Sequence, residues 1–449
     1  MRMMILMRGA QGAGKSTFIM EQGLSPYVVS PDQERLRRGG LILNPSGEPV
    51  VNHRHEALIW SELKGLLELK LSEGQLVVFD ATFQGPQSFQ FVERLALKHR
   101  YQVFCVDLTG VPLEQALARN LQRAPWQRIP PEAIAQAYRR FAQTPIPPWI
   151  SRLTPESLGG APLISFLEPD ERDLTATESV VHLGPLRGAL TALSSLLPQG
   201  IKDDTHYVFV GDLLGAGPES ADCLRFILRE LLPRSNVTLL WGPIEAALHR
   251  HCRGIEQGNP FIEEQLLPAL TREGLAQDAL EAFFDGLVEL FPYRISQHRA
   301  LVTPRPLPRW PSALVPVPSW QLLSGFKEAG QSALKEADLK DTDLKETRLS
   351  RARGEEPSQG ASLSAQLPRS PLPRELLISG LESGGRSKLQ TAAGRFSLEG
   401  ADGFGALPLR LDLRQIRSAT GDSVAGDSVA GDSVAGDSVV TVERFRQRS

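Results

Sequence analysis

Residues Met3 to Thr17 constrain what this chain can fold into more than any other stretch. Met3-Met4-Ile5-Leu6-Met7 is a short, unbroken apolar run, the pattern of a strand buried on both faces. Gly9-Ala10-Gln11-Gly12-Ala13-Gly14-Lys15-Ser16-Thr17 follows it and matches the phosphate-binding loop G-x-x-x-x-G-K-[ST]. Gly9, Gly12 and Gly14 permit backbone turns that side chains would block, so that successive N–H groups point at a polyphosphate. Lys15 adds a positive charge, and the Ser16 hydroxyl, next to Thr17, can complete a Mg²⁺ shell otherwise filled by water and phosphate oxygens. The helix that opens at Lys15 aims its positive end at the same anion. The alternative is a glycine-rich turn without a ligand.

The chain has 449 residues, more than one core accommodates, and the length points to two or three domains. A formal net charge of −3 gives no global attraction to nucleic acid, so any such binding must come from local arginine clusters. Cys105, Cys223 and Cys252 make no disulfide framework, which fits a reducing cytosol. No segment reaches the ~18 apolar residues of a membrane span. The expectation is a soluble, cytoplasmic protein with no membrane association.

After the first strand and helix, Tyr27-Val28-Val29-Ser30 reads as a second strand that delivers Asp32 and Arg35 to its carboxyl end, where ligands of open α/β sheets collect. Beside ATP, such an Asp can take a proton from an attacking hydroxyl and such an Arg can hold an anion. The alternative is a helix N-terminal pair, with Asp32 as a cap. Residues 37 to 52 read as a glycine- and proline-punctuated loop, and 53 to 72 as a helix. His53 and His55 lack further ligands at metal-site spacing and read as solvated. Gln75 to Asp80 is the next strand, and Asp80 at its tip belongs with the Mg²⁺ shell or with a neighbouring arginine, or else is a turn residue. A further helix and the strand Tyr101 to Asp107 complete a βα alternation, which implies a parallel sheet flanked by helices. In the segment from Pro112 to Arg128, the spacing of Leu113, Leu117 and Leu121 predicts a buried helical stripe. Arg119 and Arg123 then project together from the opposite face, either as a lid over a transferring phosphate or as a solvated basic face.

Taken together, the phosphate loop, Asp32-x-x-Arg35, Asp80-x-Thr82 and Arg119-x-x-x-Arg123 resemble the 5′-hydroxyl polynucleotide kinases, in particular the kinase module of bacterial polynucleotide kinase-phosphatases, over residues 1–168. The resemblance implies a P-loop NTPase α/β fold and ATP and Mg²⁺ as cofactors. It also implies RNA or DNA 5′ ends as partners and transfer of the γ-phosphate to a 5′-hydroxyl, as in nucleic-acid repair. Lys15, Asp32, Arg35, Arg119 and Arg123 become the catalytic set: Asp32 the general base, Arg35 the clamp on a nucleotide phosphate, Arg119 and Arg123 lid contacts to ATP. Pro31 departs from the small polar residue that commonly precedes the Asp. Two other readings remain: a P-loop kinase acting on a small-molecule or protein hydroxyl, and an ATP-gated scaffold that binds ends.

A second strand-helix alternation over residues 178–312 predicts another α/β domain. Its landmarks resemble a calcineurin-like metallophosphoesterase, whose G-D-x-H-G is replaced by Gly184-Pro185-Leu186-Arg187-Gly188. Likewise G-D-x-x-D-R-G-P becomes Gly211-Asp212-Leu213-Leu214-Gly215-Ala216-Gly217-Pro218, G-N-H-E becomes Gly242-Pro243-Ile244-Glu245, and H-A-G becomes Pro304-Arg305-Pro306. The loop glycines remain while the metal ligands are gone. A two-metal site needs about half a dozen ligands, so the expectation is a pseudo-phosphatase with no dinuclear metal site. A relocated site on His249, His251 or His298 is disfavoured because positions i and i+2 of a helix do not share a face.

Residues 313–449 read as a largely disordered tail open to a protein partner. Proline rises over Pro304 to Pro318, as in a linker. Leu334, Leu339, Leu344 and Leu349 resemble pentapeptide repeats but amount to one coil. Residues 354–400 are rich in Ser, Gly and Pro, and Gly421-Asp422-Ser423-Val424-Ala425 opens a run of four copies ending at Val440. Arg444, Arg446 and Arg448 read as a solvated end.

Overall fold

The computed structural model describes residues 1–275, 277–295, 298–305 and 311–324, together with five strands between 375 and 444. The chain divides into two compact units, Met1–Pro169 with Pro311–Trp320, and Asp170–Trp310 with Gln321–Ser449.

In the first unit β1 (Met3–Arg8), α1 (Lys15–Glu21), β2 (Val28–Val29), α2 (Pro31–Gly39), β3 (Leu41–Leu43), β4 (Pro49–Val51) and α3 (Glu56–Ser72) come in that order. They are followed by β5 (Val77–Asp80), α4 (Pro86–His99), β6 (Gln102–Asp107), α5 (Leu113–Leu121), α6 (Pro131–Gln143), β7 (Ser151–Leu153) and α7 (Leu163–Leu167). Five strands form a sheet in the order β2-β5-β1-β6-β7, parallel at every pairing. All six residues of β1 are buried, as its apolar run requires. Met3, Ile5 and Met7 enter one core layer with Phe18, Val106 and Leu163. Met4 and Leu6 enter the other with Leu63, Val77 and Val103. The alternation follows from the two-residue period of a strand, and each such side chain contributes about 1.5–3 kcal/mol by leaving water. The register pairs Met7 with Asp80 and Arg8 with Asp107. The loop after β1 therefore emerges beside Asp80.

Two features depart from the sequence pattern. Residues 37 to 52 are not a continuous loop: α2 runs to Gly39, and β3 and β4 form an antiparallel hairpin. Its turn is closed by backbone bonds from Asn44 N–H to Glu48 O and from Gly47 N–H to Asn44 O, and by the Asn44 side chain, which accepts from Ser46 and Glu48 N–H. The proline-rich stretch is no simple linker either, because residues 311–320 pack onto the first unit. Val315 is fully buried in its core, Leu314 and Val315 donate backbone N–H to Glu168, and Ser319 N–H bonds Gly74 O at 3.1 Å. Prolines there disfavour helix, yet the two apolar residues between them still seek a core.

The second unit contains β8 (Arg172–Asp173), β9 (Ser179–Leu183), α8 (Leu190–Leu196), β10 (Thr205–Phe209), α9 (Ser220–Phe226), β11 (Val237–Leu240) and α10 (Pro243–Cys252). After them come α11 (Leu267–Arg272), α12 (Gln277–Asp285), β12 (Leu287–Val288), β13 (Phe291–Ile295) and β14 (His298–Thr303). β12-β11-β10-β9 form a parallel sheet. A second sheet contains β13, β14 and β8. The two face each other through aromatic contacts, His182 stacked on Tyr293 and His206 on Phe291.

Within 313–449, which the composition marks as largely disordered, five strands are described: β15 (Glu375–Leu381), β16 (Leu389–Ala392), β17 (Arg395–Glu399), β18 (Leu409–Gln415) and β19 (Ser438–Arg444). β15 pairs with β14 and β18 with β9, so they extend the two sheets of the second unit. The free edges of β9 and β14 supply backbone hydrogen bonds that composition does not reveal. The leucines at five-residue spacing, the first three Gly-Asp-Ser-Val-Ala copies, Arg446 and Arg448 lie outside the described residues.

Candidate functional site: a phosphate loop under two arginines

The loop after β1 turns through Gly12 at φ 84° and Gly14 at φ 98°, backbone that only glycine adopts without strain. Gly12 is also pressed against α5, where an added Cβ would lie 2.2 Å from Ala116 O. Above Gly14 sits Arg119, whose Nη1 is 3.6 Å from where a Cβ would be. Lys15 Nζ donates to Gly9 O at 2.8 Å and Ala10 O at 3.2 Å. Burial lowers its pKa, with Asp80 and Asp32 opposing.

Asp80 closes the floor. Desolvation raises its pKa, against the charges of Lys15 and Arg123. Its Oδ1 is shut off from solvent without a hydrogen-bond partner, and so is Arg123 Nη1. Buried polar atoms are normally satisfied, so this pair marks a place built for a further polar group.

Asp32 stands in the first turn of α2, behind Pro31 at the first helical position; Ser30, not Asp32, is the N-cap residue. Its side chain is 72% exposed. Arg35 Nη1 donates to Asp32 Oδ1 at 2.5 Å, while its Nε and Nη2 grip Glu56 at 2.6 and 3.1 Å. Glu56 on α3 is held ionised by that bond, its pKa lowered to about 2. Arg35 is therefore fixed before any substrate arrives.

The spacing of Leu113, Leu117 and Leu121 is off by part of a turn. Ala116 and Asn120 are the buried residues of α5, and Leu121 is 65% exposed. Asn120 turns inward because its amide closes the following loop, bonding both N–H and O of Ile129. The helix ends at Leu121, so Arg123 sits just past it. Both arginines still reach the loop.

Gly12, Gly14, Lys15, Ser16, Thr17, Asp32, Arg35, Asp80, Arg119 and Arg123 line one cleft of about 650 Å³; Gly9 lies at its base through the bond from Lys15. Trp60, Thr82, Gln84 and Gln122 also line it, and Glu56 supports it from behind. Glu56 and Trp60 carry little sequence signal because they sit within a helix whose apolar residues, Leu58 and Leu69 among them, are not confined to its buried face. Their separation by four residues, both on one face, was the available signal.

In the second unit the four degenerate loops meet at Asp212. Arg187 N–H bonds Asp212 O at 2.8 Å, and Ile244 N–H bonds Asp212 Oδ1 at 3.3 Å. Arg187 and Arg305 bring guanidinium groups to 3.9 and 3.7 Å of Asp212 Oδ2. The Glu245 carboxylate accepts backbone N–H from Asp212, Leu213, Leu214 and Gly242. Desolvation and the charge of Asp212 push its pKa up to about 8 against those bonds. His249 packs edge-on against the stacked pair Trp241 and Phe284, His251 faces Glu263, and His298 lies on β14. Among the described residues no cluster of three His, Cys, Asp or Glu is placed to hold a metal, and no helix is long and apolar enough to cross a membrane.

A comparison with curated proteins finds no match. Similar solved structures include the AvrRxo1-ORF1:AvrRxo1-ORF2 complex with sulphate ions, at 17% identity and a TM-score of 0.24, covering 30% of this chain and 46% of that one. The chain thus spans less than half the length of that relative. A protein serine/threonine phosphatase from Saccharomyces cerevisiae is 15% identical over 64% of this chain and 87% of that one, TM-score 0.33. The Pnkp1/Rnl/Hen1 RNA repair complex is 16% identical over 68% and 90%, TM-score 0.27. Residues 4–145 match the family described as an AAA domain. With its phosphate loop, parallel sheet and Lys15-centred cleft, the N-terminal part of this chain is similar to the AAA domain family whose model it matches over residues 4–145.

Proposed function

We propose that the first unit is an ATP- and Mg²⁺-dependent kinase that transfers the γ-phosphoryl group to the 5′-hydroxyl of an RNA or DNA end. The observation that carries this reading is the convergence of a solvent-open carboxylate and three arginines on the cleft of the phosphate loop. Asp32 is exposed enough to meet an incoming hydroxyl and accept its proton. Arg35, gripped by Glu56, offers its remaining N–H groups to an acceptor phosphate without having to be ordered first. Lys15 and Arg119 bear on the polyphosphate, and Arg123 supplies an unpaired donor for charge that develops during transfer. The residues fit Mg²⁺: the Ser16 hydroxyl and the orphaned Asp80 Oδ1 would hold it through its ligand shell. When bound, Mg²⁺ neutralises charge on the phosphate oxygens.

We propose further that the second unit performs no metal-dependent phosphate ester hydrolysis. Arg187 and Arg305 set positive charge about Asp212, which repels a divalent cation, and Glu245 is committed to four backbone donors. Metal-dependent phosphatase activity abolished by Asp212→Ala would overturn this part.

The test of the kinase is transfer of labelled γ-phosphate across a panel of 5′-hydroxyl RNA, 5′-hydroxyl DNA and small-molecule acceptors. Labelling of the oligonucleotides alone supports the proposal. Labelling of a small acceptor alone, or ATP binding without transfer to any acceptor, rejects it in favour of a different kinase or a scaffold.

A further inference from the structure

We infer that Trp60 is a base-stacking wall in the acceptor part of the cleft, reading the acceptor as a nucleic-acid strand through one base close to its 5′ end. This inference rests on the kinase reading above. Pro31, Asp32 and Arg35 come to the cleft from α2, and Trp60 from α3. These two helices pack on each other. Trp60 lies one turn beyond Glu56 on the same face of α3, the face that grips Arg35. It packs against the core and yet lines the open cleft. One side of the indole is thus anchored and the other presented to the ligand. A fixed, flat, apolar surface among charged groups suits a partner that is itself flat and joined to an anion. Carboxylate, guanidinium and indole correspond in turn to hydroxyl, phosphate and base. Stacking on an aromatic is indifferent to which base is present, so such a wall selects a strand without selecting a sequence.

The test is a cycle of two proteins and two acceptors. Wild type and Trp60→Leu, which keeps apolar packing on the core, are assayed with a 5′-hydroxyl oligonucleotide and with the same strand abasic at its first two positions. ATP affinity checks that the variant is folded. Trp60→Leu is expected to raise KM for the normal strand roughly five- to a hundredfold and to leave kcat nearly unchanged, the signature of lost uniform binding. Trp60→Phe should recover most of the loss, and the abasic strand should give the same KM with wild type and Trp60→Leu. An equal penalty on both acceptors, or no penalty on either, overturns the stacking role while the kinase reading stands. Wild type that binds ATP but labels neither strand overturns both.

Discussion

Gly12→Ala separates the architecture of the loop from its composition. At φ 84° an alanine is strained by about 1–2 kcal/mol. The larger effect is steric, because the new Cβ would fall 2.2 Å from Ala116 O, where real Cβ atoms do not come closer than 3.0 Å. A backbone carbonyl in the middle of a helix cannot swing away, so α5 must move off the loop by the better part of an ångström. Arg119 and Arg123 move with it. A misplacement of that size costs catalysis on the order of 10²-fold, in addition to the weaker hold on ATP. Gly14→Ala provides the control. Its φ is 98°, but the Cβ would meet only the end of Arg119, at 3.6 Å, so strain acts without displacement. ATP affinity by calorimetry and single-turnover phosphoryl transfer should both fall further in Gly12→Ala than in Gly14→Ala. Equal losses, or Gly12→Ala with wild-type transfer, would refute the claim that contact with α5 sets the arginines.

Three further outcomes follow from the same coordinates. Glu56→Gln should loosen Arg35 and raise the acceptor KM about two- to fivefold, a small factor because the pair is partly exposed and screened, with ATP affinity unchanged in the same titration. Val315→Ala should destabilise the first unit by about 2 kcal/mol, seen as a lower melting temperature for ATP-protected unfolding; no shift would mean that residues 311–320 are not part of its core. His206 is buried, bonded to Thr238 and stacked on Phe291, and desolvation lowers its pKa from 6.5 to about 4. A depressed folded pKa means that the unfolded chain binds the proton more readily. The associated stability is present above pH 6.5 and is lost as the pH falls through 4, amounting to about 3 kcal/mol. Urea unfolding of the second unit should show this slope, and His206→Phe should flatten it.

What could be read from the chain follows physical locality. The phosphate loop is contiguous and its chemistry dictates its residues, so Gly9 to Thr17 declare themselves. Asp32, Arg35, Asp80, Arg119 and Arg123 could be gathered only through their resemblance to a kinase family, since their spacing alone leaves helix-cap, turn and solvated-face readings open. Glu56 and Trp60 resisted, since their role depends on how α3 packs against α2 and their four-residue spacing is shared by many pairs on any helix. The hairpin at residues 41–51 was in principle visible: Leu41-Ile42-Leu43 and Pro49-Val50-Val51 flank an Asn-Pro-Ser-Gly turn. The neighbouring glycines masked it. The attachment of residues 311–320 and the pairing of β15 and β18 are long-range backbone events, and short stretches with modest apolar content do not announce their partners. The displacement of the α5 stripe came from Asn120, a polar residue buried to satisfy a loop that periodicity alone cannot anticipate.

Phosphoryl transfer by the proposed kinase turns on a single carboxylate. Asp32→Asn keeps the size of the side chain and a partner for Arg35 but cannot accept a proton. With labelled ATP and a 5′-hydroxyl oligonucleotide under single-turnover conditions, transfer should fall roughly 10²- to 10⁴-fold while ATP affinity stays at the wild-type value. Transfer retained in Asp32→Asn, or lost only in proportion to ATP affinity, would contradict that role.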